Sequence, residues 1–296
     1  MTFVDPKEDI AFKKIFGDER HPQVLKSFIN AVLGLQGQEQ EQVDQLKLLN
    51  PNQAPELKGL KNTIVDVQAQ DKRGFKFIVE MQVERDEHFA KRALYYSSKA
   101  YCRQIATGAS YSKLNPVYFI GVLDFPLLEG EQYLTRHLIL NQATGKQELK
   151  DLVWNFIELP KFKLKEPELN TVEQKWIYFL KHAASLSKIP VKLSEESSIR
   201  EAFEIANQYS WSEEDLMVYD FWSMREGIRR NNLRTARNTG FTKGFAQGEQ
   251  AGFSKGEEKK ALSIANKMKE QGIDTKTIAE LTGLSLEQLN NTFRMN

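Results

Sequence analysis

The spacing of apolar residues changes character several times along the chain. From Asp9 to Gly17, Ile10, Phe12, Ile15 and Phe16 recur at helical intervals; Val24, Leu25, Phe28, Ile29, Val32 and Leu33 do the same up to Gly34, which is placed to end a helix. Two short helices are predicted. After the polar stretch QGQEQEQVDQ the period drops to two, in runs at 64–71 and 75–84 parted by Lys72, Arg73 and Gly74, the pattern of a β-hairpin. A helical segment follows from about 89 to 105. The nearly continuous apolar run PVYFIGVLDF at 116–125 then reads as a strand covered on both faces. Strand-like runs at 137–141 (HLILN) and 152–159 (LVWNFIEL) complete an α/β domain over residues 1–160, a mixed sheet flanked by helices.

Beyond Pro167 every periodic segment is helical: VEQKWIYFLKHA, SIREAFEIANQ and EEDLMVYDFWSMREGIRRNN. A helical region is therefore expected over 161–238. A third part, 239–296, opens with Gly240, Gly244, Gly248, Gly252 and Gly256, one glycine every fourth residue, and closes with a short helical tail.

On the hairpin, Phe75, Phe77, Val79, Met81 and Val83 share one face, and Lys76, Ile78, Glu80, Gln82 and Glu84 the other. A three-residue loop with Gly74 left-handed pairs Asp71 with Phe75 and hence Asp66 with Glu80, placing two carboxylates side by side. A four-residue loop pairs Gln70 with Phe75 and sends the two acids to opposite faces. Periodicity does not choose between the registers. Like charges directly across a ladder repel, so an adjacent pair calls for a cation, and a hard divalent metal with oxygen ligands is the natural one. The alternative is a pair of exposed polar positions on half-buried strands.

Composition adds exclusions. Apolar residues make up 41% of the 296 and charged residues 27%, with nine prolines, which fits neither a disordered nor a fibrous chain. Forty-one Lys and Arg against 40 Asp and Glu leave a net charge of +1, so any nucleic-acid contact must come from local patches. A single cysteine, Cys102, with four scattered histidines rules out an intramolecular disulfide and a thiolate zinc site. No run approaches the roughly 18 apolar residues of a membrane span, and MTFVDPKEDIAFKKIFG lacks the apolar core of a signal peptide. A cytoplasmic protein with no membrane partner is expected.

On the helix that starts near Phe89, Arg92, Tyr96, Lys99 and Arg103 fall at i, i+4, i+7 and i+11, within about 40° of one line. Such a cationic stripe suits backbone phosphates; a solvated face is the plain alternative. A second basic cluster, Arg225, Arg229, Arg230, Arg234, Arg237 and Lys243, lies in the C-terminal third.

Read together, DIAFKKIFG, IVDVQAQDKRGFKFIVEMQ and FAKRALYYSSKAYCRQIATGASYSKLNPVYFIGVLDF resemble the Rpn family of recombination-promoting nucleases and transposases, a branch of the PD-(D/E)XK nuclease superfamily. The resemblance covers roughly residues 5–160. It implies a restriction-endonuclease-like α-β-β-β-α-β core and a metal-dependent DNA endonuclease of low sequence specificity, tied to recombination, mobile-element processing or defence. In the Asp, spacer, Glu-x-Lys pattern of the superfamily, Asp66 and Glu80 stand as ligands of Mg²⁺ (or Mn²⁺), with the Met81 carbonyl as a third ligand and Glu8 or Asp9 as an accessory acid. Gln82 stands where the pattern has lysine, and can orient a water but carries neither charge nor titratable proton. Lys58, Lys61 and Lys76 are candidates to replace the missing ammonium. The resemblance also sets Arg92, Tyr96 and Gln104 beside the active site. A catalytically degraded fold used for DNA binding or protein interaction is the competing reading.

The glycine repeat would cost a helix roughly 4–5 kcal/mol relative to alanine, at about 0.8–1 per residue. A linker is one reading. Phe241, Phe245 and Phe253 among the glycines favour instead a helix whose glycine ridge permits close crossing, and hence a homo-oligomer. The tail, with Ala279 four before Gly283 and Leu289 six after it, resembles a minimal helix-turn-helix. SLEQLNN carries no Lys or Arg, which favours protein contact over DNA recognition for that helix.

Overall fold

The computed structural model describes residues 1–38, 40–53 and 63–294. Helices α1 (Asp9–Phe16) and α2 (Pro22–Val32) open the chain, followed by short strands β1 (Lys47–Leu49), β2 (Asn52–Gln53) and β3 (Thr63–Ile64). Next come the hairpin strands β4 (Val67–Gln70) and β5 (Lys76–Gln82), helix α3 (Phe89–Cys102), and strands β6 (Val117–Leu123), β7 (Leu134–Leu138) and β8 (Leu152–Glu158). Helices α4 (Val172–His182), α5 (Val191–Ser194), α6 (Ser197–Ala206), α7 (Glu213–Glu270), α8 (Thr275–Thr282) and α9 (Leu286–Arg294) complete it. The chain divides into two compact units, residues 1–221 and 222–296.

In the first unit six strands form a mixed sheet in the order β1-β4-β5-β6-β8-β7. The hairpin β4–β5 is antiparallel, β5–β6 and β6–β8 are parallel, and β7 runs antiparallel along the edge. This is an α/β, restriction-endonuclease-like fold with both faces of the sheet covered. On one face Phe77, Val79, Met81, Ile120, Val122 and Ile157 pack against Phe12, Phe16 and Phe28 of the first two helices and Trp176, Phe179 and Phe203 of α4 and α6. On the other, Ile78, Val117, Phe119 and Phe156 meet Phe89, Ala93 and Tyr96 of α3. Burial on both sides explains the unbroken apolar run of β6, which lies between β5 and β8.

Three element boundaries differ from expectation. The strand anticipated at 137–141 lies at Leu134–Leu138, where pairing of Leu134 with Ile157 sets the register and a turn closed by the Gly145 N–H on the Asn141 carbonyl takes over. The helix anticipated to 105 ends at Cys102, because Gln104 turns to the Asn115 backbone. The hairpin strand anticipated from 64 begins at Val67, with Asp66 itself outside the ladder.

The segment holding the glycine repeat is helical, as part of the 58-residue α7. Residues from its last turns close a small core with α8 and α9: Ala265, Ile278, Leu284 and Leu289 are buried, and Phe293 packs on them. Asp274 caps α8 by accepting from the N–H groups of Lys276 and Thr277, and Gly283 ends it at φ +71°.

Candidate active site

The hairpin register fixes the site. Val67 pairs with Val79 and Gln70 with Lys76, the pairing that a three-residue loop demands. Gly74 sits at φ +89°, and the Asp71 carboxylate accepts the N–H groups of Arg73 and Phe75, closing the loop from inside. Of the two registers the sequence left open, the structure has the one that brings Asp66 to Glu80.

Where β4 stops, the two carboxylates replace the ladder. The Asp66 N–H donates to Glu80 Oε1 at 3.0 Å and the Met81 N–H donates to Asp66 Oδ2 at 2.7 Å. Glu80 is 3% exposed. Burial pushes the Asp66 carboxyl up to about 6, the nearby Asp9 charge adds to the rise, and the Met81 N–H opposes it. Glu80 is raised well above the ordinary carboxylate range, first by burial and then by the Asp66 charge.

Two cations face the pair at equal distances. Lys13 Nζ lies 3.9 Å from Asp66 Oδ1, and Arg92 Nη2 lies 3.9 Å from Glu80 Oε2. Arg92 is firmly held: Nη1 donates to Asp86 Oδ2 at 2.9 Å and to Gln82 Oε1 at 3.3 Å, and the guanidinium lies 5.5–5.6 Å from the Phe89 and Tyr96 rings. The Gln82 amide nitrogen donates in turn to the Glu84 carbonyl at 3.1 Å.

The remaining candidates spread out. Tyr96 is a buried wall behind Arg92. Lys99 and Arg103 continue the stripe away from the acids, Arg103 roughly 16 Å along the helix axis from Arg92. Gln104 is occupied in a two-way bond with the Asn115 backbone, which ties the end of α3 to the start of β6. Lys76 stands four residues before Glu80, about 13 Å down the strand, and donates to the Ala100 carbonyl. Lys58 and Lys61 lie outside the described residues. Asp9 is 69% exposed and holds Lys13 at 2.7 Å; Glu8 is buried. Sequence reasoning overlooked Lys13; its one signal was the i, i+4 spacing from Asp9 on the first predicted helix.

Among the described residues no group of three or more His, Cys, Asp and Glu side chains forms a ready-made metal cage. The donors that do meet still suit a hard cation. Half-buried Asp66 and buried Glu80 are two carboxylates whose pKa values are raised chiefly by burial, and an extended strand puts the Met81 carbonyl on the same edge as its N–H, which points to Asp66. Mg²⁺ keeps several waters and asks for only one or two carboxylates.

The model of the PD-(D/E)XK nuclease family transposases matches residues 6–230. The chain belongs to this family. A second match, to the C-terminal helix-turn-helix domain of the Rpn/YhgA-like nuclease family, covers residues 258–293. No curated protein and no solved structure matches. The helix-turn-helix match also corrects the weight given to protein contact in the tail, because this architecture is one of DNA binding. Among the described residues no helix is long and apolar enough to cross a membrane.

Proposed function

We propose that this PD-(D/E)XK transposase is a divalent-metal-dependent DNA endonuclease of low sequence specificity, serving recombination, mobile-element processing or defence. The observation that carries the reading is the meeting of half-buried Asp66 and buried Glu80 at the frayed end of the hairpin, each bonded to the other's strand. Asp66, Glu80 and the Met81 carbonyl would hold Mg²⁺ or Mn²⁺. The bound metal supplies a lowered water pKa and Lewis acidity toward the phosphate. Arg92, fixed by Asp86 and stacked on Phe89 and Tyr96, presents a guanidinium beside Glu80 where a phosphate oxygen can be received. Lys99 and Arg103 extend that grip along the backbone, and the helix-turn-helix adds a second point of DNA contact. The glycine-spaced part of α7 carries self-association.

The replacement of the motif lysine by Gln82 favours a second reading, a degraded nuclease fold that binds DNA without cutting it. Cleavage of supercoiled and linear DNA with Mg²⁺, Mn²⁺ or chelator, with Asp66→Ala and Glu80→Ala in parallel, separates the two. Metal-dependent cutting that falls to background in both variants is expected. DNA binding without cutting, equal in wild type and both variants, would replace the enzyme by the binding module.

A further inference from the structure

The hairpin supplies two carboxylates but no ammonium. Gln82 is uncharged, with both ends of its amide engaged, and Lys76 is too far down β5 to serve. Among the described residues Lys13 and Arg92 are the cations within 4 Å of the two acids, and their tethers differ. Arg92 is braced by Asp86, by Gln82 and by two aromatic rings. Lys13 is held by Asp9, its i, i+4 neighbour on α1, in a pair whose side chains are 40% and 69% exposed. Such exposed helical pairs are among the weakest ion pairs and exchange freely with solvent. A lysine side chain has the reach and the freedom to leave one anion for another.

We propose that Lys13 takes the place of the missing motif lysine. This rests on the nuclease reading above and deepens it. Released from Asp9, the ammonium donates hydrogen bonds to the attacking water and to a non-bridging oxygen of the scissile phosphate, beside Asp66. As the water oxygen bonds to phosphorus, the bond from phosphorus to the leaving oxygen breaks, and that oxygen takes up a proton from solvent. The proton lost by the water passes to solvent, and Lys13 keeps its own, acting by charge and orientation. Asp9 is then the resting partner of Lys13, and its place near Asp66 follows from that role rather than from metal ligation. The ammonium thereby comes from the first helix instead of from two residues beyond the glutamate.

The test compares the full-length wild type with Lys13→Met, Lys13→Arg, Gln82→Lys and the double variant Lys13→Met/Gln82→Lys. Cleavage of plasmid DNA gives kcat and KM, calorimetry gives Mn²⁺ affinity, and thermal unfolding monitors the fold. Lys13→Met is expected to lose about a hundredfold in kcat, the scale of removing one preorganised donor to a developing charge. KM, Mn²⁺ affinity and melting temperature should stay near wild type. Lys13→Arg should retain part of the activity, and Gln82→Lys should restore cutting in the Lys13→Met background by returning an ammonium to the motif position. Four results would overturn the assignment. Lys13→Met cutting at the wild-type rate while Asp66→Asn is inactive removes Lys13 and leaves the nuclease standing. Tighter Mn²⁺ binding with faster cleavage in Lys13→Met makes Lys13 a competitor of the metal. If Lys13→Arg is as inactive as Lys13→Met, Gln82→Lys repairs nothing in the double variant, and the melting temperature is lowered, the role of Lys13 is structural. A wild type that binds Mn²⁺ and DNA but never cuts rejects the nuclease reading, and Lys13 falls with it.

Discussion

Gly121 in the sheet and Gly248 in the long helix are both interior residues of regular elements, and they stand in opposite surroundings. A Cβ on Gly121 would lie 2.9 Å from Phe89 and 3.1 Å from Phe156, in the densest part of the core beside α3. A Cβ on Gly248, or on any of the four other glycines of the repeat, would meet nothing within 4 Å. The aspartates differ in the same sense. Asp66 is half-buried beside a second acid and its pKa rises to about 6, whereas the exposed Asp274 caps α8 and is lowered by its bonds to Thr277. In the first unit packing forces residues into arrangements that are locally unfavourable, and these arrangements make the site. In the second unit the cap of α8 follows local rules, whereas the glycines of the repeat have open space around them that nothing in the unit fills.

The largest effect should come from removing the desolvated charge of Asp66. Because folding raises the Asp66 pKa from 3.8 to about 6, the native state binds more protons than the unfolded chain in that interval. Stability contributed by protonated Asp66 is present at low pH and is lost as pH rises through about 6. Asp66→Asn, which can still accept the Met81 N–H, should therefore stabilise the metal-free protein at pH 8, by an amount on the order of 2–3 kcal/mol for a shift of about two units. The gain should be mostly gone near pH 4 and vanish below the unfolded value of 3.8. Urea unfolding in chelator at both pH values checks the sign, and Mg²⁺ should raise the melting temperature of wild type but not of the variant. Equal stability of the two proteins at pH 8 would show that ionised Asp66 carries no cost from its burial.

Next in size is Gly121→Ala. The added methyl must displace the Phe89 and Phe156 rings, both buried, at a cost of about 1–3 kcal/mol for overpacking. Gly121 is also the β6 partner of Glu80, and Phe89 lies under the Arg92 guanidinium. Cleavage should accordingly fall at temperatures where the variant is still fully folded. Loss of stability with unchanged kcat would uncouple the ring packing from the placement of Arg92.

The contrast also explains what could be read in advance. Period-two alternation with a fully apolar β6 made the two-faced sheet legible, because burial on both sides leaves a mark on every residue of the strand. The hairpin acids were legible only as a pair of alternatives. What decides between them is the loop, in which the Asp71 carboxylate receives two N–H groups and Gly74 turns left-handed, and alternation in the strands carries no trace of that. Lys13 was hidden for another reason. It comes to Asp66 from 53 positions earlier, next to Lys14, and only the packing of α1 decides that Lys13 faces the carboxylates while Lys14 pairs with Asp215.

The smallest effects test whether the glycine ridge obeys local rules alone. As an exposed helix interior, each of Gly244, Gly248 and Gly252 should gain about 0.8–1 kcal/mol of local helix stability on substitution by alanine, because the unfolded backbone then loses less entropy on ordering and no contact opposes the methyl. Hydrogen exchange of the α7 amides measures that gain directly. Self-association through a close helix crossing imposes a second requirement, since a methyl at the crossing point holds the two backbones apart. If the ridge is an interface between two copies, the same alanines should raise helix protection in dilute monomer while shifting the sedimentation equilibrium toward monomer. Protection that rises with no change in association would mean that the ridge contacts no second copy, and would remove oligomerisation through α7 from the proposed function.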